Sequence, residues 1–186
     1  MVGNLPNYNE LDVLRAFILL EERMSRQDLA KRLELGEGTI RTILEILKKK
    51  GLIRSTNKGN VFTEKGSRAR QKILEKISVP KETKLHLYNQ YRRVAVVYKA
   101  GRKIKIDYTL RDFAVKAGAE GAIILRYEGG RGLTLDYDAG YSFEYLEDKF
   151  DFRNNDILII TFANALRDAE NSALSVAVKL GLQSLD

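Results

Sequence analysis

The sequence predicts an α+β protein: a helical N-terminal part with one basic hairpin, followed by a small mixed-sheet α/β domain. Three observations carry that prediction. Apolar residues recur at helical spacing through most of residues 9–77, interrupted by one hairpin pattern. From Arg93 onward, short apolar runs of strand type alternate with helical ones. Positive charge gathers in the first part: residues 1–82 hold 17 Lys/Arg against 11 Asp/Glu, whereas residues 83–186 hold 15 against 14.

A first helix is predicted over residues 9–23, where Leu11, Val13, Leu14, Phe17 and Ile18 fall on one side. Ser25 followed three residues later by Asp28 has the form of a capping box with Asp in place of Glu, which starts a second helix near Arg26. Leu29, Ala30 and Leu33 make its inner stripe, and Gly36 and Gly38 permit a tight turn. A third helix runs from residue 37 or 38 to residue 50. Its Ile40, Ile43, Leu44 and Leu47 recur at i, i+3, i+4 and i+7, one buried face. The opposite face carries Thr39, Arg41, Thr42, Glu45, Lys48 and Lys49. Gly51 is the expected C′ residue, and three lysines before it suit the negative end of the helix dipole. Residues 52–54 and 61–63 read as strands joined by the turn chemistry of 55–60, a wing that carries Arg54 and Lys58. Thr63 then caps a fourth helix over 64–77, with Ala69, Ile73, Leu74 and Ile77 inward.

Pro80 and its flanking charges mark a break, which divides the chain into 1–80, a linker 81–91, and 92–186. Leu85, Leu87 and Tyr88 in the linker fit either a short helix or an entering strand. Residues 94–98 form a buried-type strand and 104–107 alternate as a second. Leu110, Phe113, Ala114 and Ala117 mark a helix over 109–118, ended by Gly118. Residues 122–127 are another apolar strand; Gly129, Gly130, Arg131 and Gly132 turn the chain, and 133–137 answer as a hairpin partner. A short helix at 141–150, a strand at 157–162 and a helix at 168–181 complete the order. Strand, helix, strand over 94–127 fits a right-handed crossover and hence a mixed sheet.

Composition narrows the chemistry. Cysteine is absent and His86 is the single histidine, which removes disulfides, thiolate nucleophiles and zinc-thiolate sites and leaves no histidine cluster. No cofactor, metal site or catalytic residue is expected. No apolar run reaches the roughly 18–20 residues that cross a bilayer, and no basic segment precedes an apolar one at the start. A cytoplasmic location without a membrane partner is the expectation. The sharpest charge block is 41–72, with ten cations against Glu45 and Glu64, and a polyanion is the partner it suits.

The run over 25–66, SRQDLAKRLELGEGTIRTILEILKKKGLIRSTNKGNVFTEKG, resembles the winged helix-turn-helix of bacterial and archaeal transcription regulators, the broad group that includes the multiple-antibiotic-resistance regulators. GTIRTILEILKKKGLI is similar to their recognition-helix pattern, and FTEKG stands where relatives often have Leu-Thr-x-x-Gly. The resemblance implies that the third helix enters the major groove of double-stranded DNA. Thr39, Arg41, Thr42 and Glu45 would then meet base edges, with Glu37 a further candidate. Lys48, Lys49, Arg54 and Lys58 would face phosphates, which position without specifying. Plainer roles compete: Thr39 as a helix cap, and Glu45 as the partner of Lys48 or Lys49. The layout as a whole also resembles archaeal winged-helix proteins whose C-terminal domain has no assigned activity; that likeness carries no site or ligand over.

The second part offers thinner candidates. GGRG has no Gly-rich nucleotide-loop context and reads first as a hairpin turn. Asp107 or Thr109 is the expected cap of the following helix, with Asp112 favoured by its dipole. Asp136 and Asp138 would share one strand face as a carboxylate pair. Residues 126–156 hold eight acids and four bases, a stretch that repels DNA. Three functions follow. The first is a sequence-specific DNA-binding transcription regulator, a homodimer whose second domain dimerises or senses a small-molecule effector at an unknown site. The second is a winged-helix protein-interaction subunit of a transcription or RNA-processing assembly. The third is a nucleic-acid-associated enzyme using carboxylates of the second domain.

Overall fold

The computed structural model describes residues 7–21, 23–57, 59–135 and 142–185. The chain forms two compact units, Met1–Ile73 with Gln183–Asp186, and Leu74–Leu182. Among the described residues no helix is long and apolar enough to cross a membrane.

The first unit begins with α1 (Glu10–Leu19), shorter than the pattern suggested and held by a reciprocal capping box between Asn9 and Asp12. Next, α2 (Arg26–Leu33) starts at Ser25, whose hydroxyl accepts from the Asp28 amide at 3.1 Å, and ends at Glu34 in the left-handed conformation. Fully buried Arg15 of α1 donates to the carbonyl of Leu33, one of the orphan acceptors at the end of α2. The third helix, α3 (Glu37–Lys49), is followed by Gly51 at φ +70° and buries Ile40, Ile43, Leu44 and Leu47, as the spacing required. Gly36, not Thr39, occupies its N-cap, and it contributes no side-chain bond.

The hairpin pairs β1 (Ile53–Thr56) with β2 (Gly59–Phe62), Arg54 opposite Val61. Its strands are longer than read from sequence, and its turn correspondingly shorter. The hairpin is braced near its turn, where the Arg23 amide donates to the Asn60 carbonyl at 3.1 Å. Gly59, at φ +116°, lies so close to that loop that a Cβ would come 2.8 Å from the Arg23 carbonyl oxygen. After the hairpin, α4 (Glu64–Leu74) opens with the Thr63 hydroxyl accepting from the Gly66 amide at 3.0 Å, the capping role expected of Thr63.

The second unit is a five-stranded sheet in the order β3-β4-β7-β5-β6. Its strands are β3 (Lys81–Glu82), β4 (Arg92–Tyr98), β5 (Gly121–Tyr127), β6 (Leu133–Thr134) and β7 (Ile157–Ala163). Every paired neighbour is antiparallel, so the mixed sheet expected from a crossover over 94–127 is not formed. The reason is β7. Buried at all seven positions, it needs cover on both faces and both edges, and it takes the centre between β4 and β5. Segment 81–91, read from the sequence as a linker, contributes β3 and the buried Leu85.

Residues 104–107, which alternate like a strand, are not one. They are held instead by the buried guanidinium of Arg126, which donates to the Ile104 carbonyl at 2.7 Å.

Helices α5 (Tyr108–Lys116) and α6 (Leu166–Lys179) pack together on one face of the sheet. There Thr161 of β7 donates its hydroxyl to the Ala169 carbonyl at 2.6 Å. On the opposite face Ala95, Val97, Leu125, Leu158 and Ile160 are covered by Leu85, Leu133, Phe143 and Leu146. Phe143 and Leu146 come from residues 142–152, whose helical part is a 3-10 segment at Glu144–Lys149.

The GGRG turn joins β5 to β6 through a 3-10 turn at Gly129–Arg131, a hairpin as expected. Asp107 caps α5, accepting from the Thr109 amide at 3.0 Å and from the Thr109 hydroxyl. That hydroxyl is the largest influence holding the Asp107 carboxyl below its usual range. Desolvation opposes it; the Thr109 amide and the charges of Lys105 and Lys179 reinforce it. A carboxyl depressed in the folded state contributes stability above its ordinary value, and that contribution is lost as pH falls through the lower folded value. Asp107→Asn is therefore expected to flatten the acid limb of unfolding temperature against pH below about pH 4. Thermal melts of both proteins across acid pH test this, and parallel acid limbs would contradict it.

Candidate nucleic-acid interface

The exposed side of α3 is built by default. With Ile40, Ile43, Leu44 and Leu47 inward, the row facing directly outward is Gly38, Thr42, Glu45 and Lys49, spaced i, i+4, i+7 and i+11. Arg41 is exposed on one flank of that row. Thr39 lies half-buried on the other flank.

The side chains differ in how free they are to meet a ligand. Thr42 is exposed, but its hydroxyl bonds back to the Gly38 carbonyl at 3.2 Å. Glu45 pairs with half-buried Lys48 at 2.9 Å, the local i,i+3 pair. Glu37 is engaged by Arg26 of α2 at 3.1 Å. Among the described residues, Arg41, Lys49 and Arg54 are exposed and have no hydrogen-bond or ion-pair partner. Lys58, which the sequence assigns to the wing, lies outside the described residues.

Among the described residues, and besides Lys48, four of the ten cations in the basic block are engaged within the first unit, three of them by backbone carbonyls. Lys65 donates to the Lys50 carbonyl at 2.8 Å, and Lys50 to the Leu185 carbonyl. Arg68 pairs with Glu64 one turn away. Arg70 donates twice to the Ile18 carbonyl, at 3.1 and 3.3 Å, and its guanidinium lies 5.4 Å from the centre of the Phe62 ring. The bonds to Lys50 and Ile18 close the ends of α3 and α1. A count of positive charges cannot separate such cations from free ones.

The comparisons with known proteins divide the chain at a similar place. Residues 10–68 match the family described as "PH0730-like, N-terminal domain". Residues 88–180 match the family described as "Domain of unknown function (DUF4443)". The solved structure titled "Hypothetical protein PH0730 from Pyrococcus horikoshii OT3" is 32% identical, with a TM-score of 0.77, over 93% of this chain and 92% of that one. The chain belongs to the PH0730-like family. No curated protein matches it.

One residue of this PH0730-like chain has no sequence signal. Arg23 follows α1 at φ +67°, and its backbone bond to Asn60 sets it beside the hairpin. With Arg54, Ser55, Thr56, Asn57 and Val61 it lines an open depression. Its side chain is exposed and, among the described residues, has no hydrogen-bond or ion-pair partner. Two guanidinium groups beside hydroxyl and amide groups can hold a phosphate. Nothing in Glu-Arg-Met marks this position, because a contact between distant segments creates it.

Asp136 and Asp138 lie outside the described residues. His86 is exposed and lies against Tyr145, ring centres 4.6 Å apart with the planes tilted by 53°.

Because Arg70 ties α4 to α1, Arg70→Leu is expected to cost about 1–3 kcal/mol of stability and to leave the salt dependence of DNA binding unchanged. Thermal melts and a salt titration on the same preparation separate the two. A changed salt slope at unchanged stability would make Arg70 a phosphate contact instead.

Proposed function

We propose that this protein is a sequence-specific double-stranded DNA-binding transcription regulator, with α3 laid in the major groove and the hairpin against the adjacent backbone. The observation that carries the reading is the segregation of free cations. Arg41 and Lys49 on α3, Arg54 on the hairpin and Arg23 beside it are exposed and unengaged among the described residues, while Lys50, Lys65 and Arg70 are spent on backbone carbonyls. Arg41 is the candidate for a forked contact to guanine; Thr39, Thr42 and Glu45 are the remaining base-edge candidates. Lys48, Lys49, Arg54, Lys58 and Arg23 are assigned to phosphates.

A homodimer is part of the proposal, since one recognition helix buries too little surface for strong discrimination and a second half-site multiplies it. The second unit is the proposed dimerisation element and the proposed seat of a small-molecule effector.

Selection of binding sites from random duplexes, repeated across a salt series, tests the reading. A recurring palindromic site, with affinity falling steeply as salt rises, is the expected result. Salt-dependent binding without an enriched site would reduce the protein to a nonspecific binder, and no binding would remove the proposal.

One observation favours a second reading, a protein-interaction module. Glu45 stands mid-row on the exposed face and, with Lys48, makes that strip locally neutral. Capture of one protein partner at physiological salt, together with failure to bind DNA, is what that reading expects.

A further inference from the structure

The charge of the second unit, nearly balanced in total, is divided along the chain. Residues 99–116 hold six Lys/Arg against Asp107 and Asp112, while residues 126–156 are acidic. The fold gathers cations of the first stretch around the end of α6. Tyr98 donates its hydroxyl to the Leu180 carbonyl, and Arg102 acts electrostatically on that tyrosine. Lys105 and Lys179 both act on Asp107 at the start of α5. The ammonium groups of Lys179 and Lys116 lie 4.8 and 5.8 Å from the centre of the Phe113 ring.

The same surface exposes apolar groups. Tyr108, the first residue of α5, is 79% exposed, while Val115 and Val178 are 46% and 36% exposed. Along α5 the outward stripe runs Tyr108, Arg111, Asp112, Val115 and Lys116.

Helix-end electrostatics explain only part of this. Lys116 and Lys179 stand in the last turns of α5 and α6, where a cation is favoured. Arg111 stands near the start of α5, where the dipole opposes it, and Arg102 and Lys105 belong to no helix. Among the described residues, none of these five cations has a hydrogen-bond or ion-pair partner.

We propose that the α5–α6 face is a second nucleic-acid site, which takes a single-stranded segment with a base stacked on Tyr108 and its phosphates against Lys105, Lys116 and Lys179. An exposed aromatic ring inside a field of free cations is the combination that binds unpaired strands, because every base offers a stacking face and every linkage a charge. A duplex hides those faces, which sets this site apart from the one proposed for α3. A purely cationic surface would attract acidic protein equally and would not need the ring.

The chain contains no tryptophan, so Tyr108→Trp in the full protein introduces a single local reporter. Titration with an oligothymidylate of about 16 nucleotides at low salt is expected to quench its emission, and added salt to reverse the quench. Combined Lys105→Gln, Lys116→Gln and Lys179→Gln should abolish the quench, and Tyr108→Ala should weaken oligothymidylate binding about 5- to 150-fold. Circular dichroism verifies that these surface variants remain folded. The same titration in an Arg41→Ala, Lys49→Ala background keeps this site separate from the α3 reading, and a quench that persists there supports it. Loss of the quench in that background, its survival in the triple lysine variant, an equal response to polyglutamate, or no response at low salt would each overturn the proposal.

Discussion

Arg41→Ala is expected to weaken binding to the selected duplex by about 5- to 150-fold, the worth of one forked contact to a guanine, and to relax preference at a single base position. Lys49→Ala, on the same helix, should behave differently. It should weaken binding almost uniformly across sequences and lower the salt slope by about one unit. The contrast follows from geometry. Arg41 lies toward the N-terminal end of α3, the part of such a helix that reaches base edges, whereas Lys49 is its last residue. Anisotropy titrations with cognate and scrambled duplexes at several salt concentrations make the comparison. If Arg41→Ala keeps both affinity and preference, Arg41 reads no base and the axis of α3 lies elsewhere.

Gly66→Ala is expected to destabilise the first unit by about 3 kcal/mol or more, the upper end for overpacking a rigid site. A Cβ there would sit 1.8 Å from the Leu52 carbonyl oxygen and 2.7 Å from its carbon, both backbone atoms. Leu52 cannot retreat freely, because its carbonyl accepts from the Thr63 amide at 3.0 Å and from the Thr63 hydroxyl at 3.3 Å. The start of α4 is thus pressed against the chain leaving α3, and only glycine allows that approach. In thermal melts the variant should lose more than about 10 °C in its first transition. Gly38→Ala is the matched control. Nothing lies within 4 Å of the point its methyl would occupy, so a small gain from helix propensity is expected. Equal melting of the two variants would contradict the packing account.

The glycine of FTEKG shows how sequence and structure divide the explanation. The motif was legible and the cap at Thr63 followed from it, but the close approach of Leu52 was not, because no local pattern records which backbone comes near. The faces of α3 were legible for the opposite reason: four apolar residues at helical spacing admit one buried side. The start of α1 near residue 9 was legible, but the cap was not: Asn9 and Asp12 form a reciprocal capping box, whereas at Ser25 only the hydroxyl caps, accepting from the Asp28 amide. In the second unit, the strands of 94–98, 122–127 and 157–162 were legible as apolar runs, while their order was not. Alternation at 104–107 misled because a strand also requires backbone pairing with a neighbour, and this segment is held through the Arg126 side chain instead.

By itself, then, the sequence determined the helix-turn-helix with its hairpin, the buried face of α3, and the main strands and helices of the second unit, all of which depend on neighbours a few residues away. Only the tertiary structure decided which cations remain free, that β7 takes the centre of an antiparallel sheet, and that Arg23 joins Arg54 beside the hairpin. Those outcomes turn on contacts between segments far apart in the chain, where a side chain's role is set by which carbonyl or carboxylate arrives beside it.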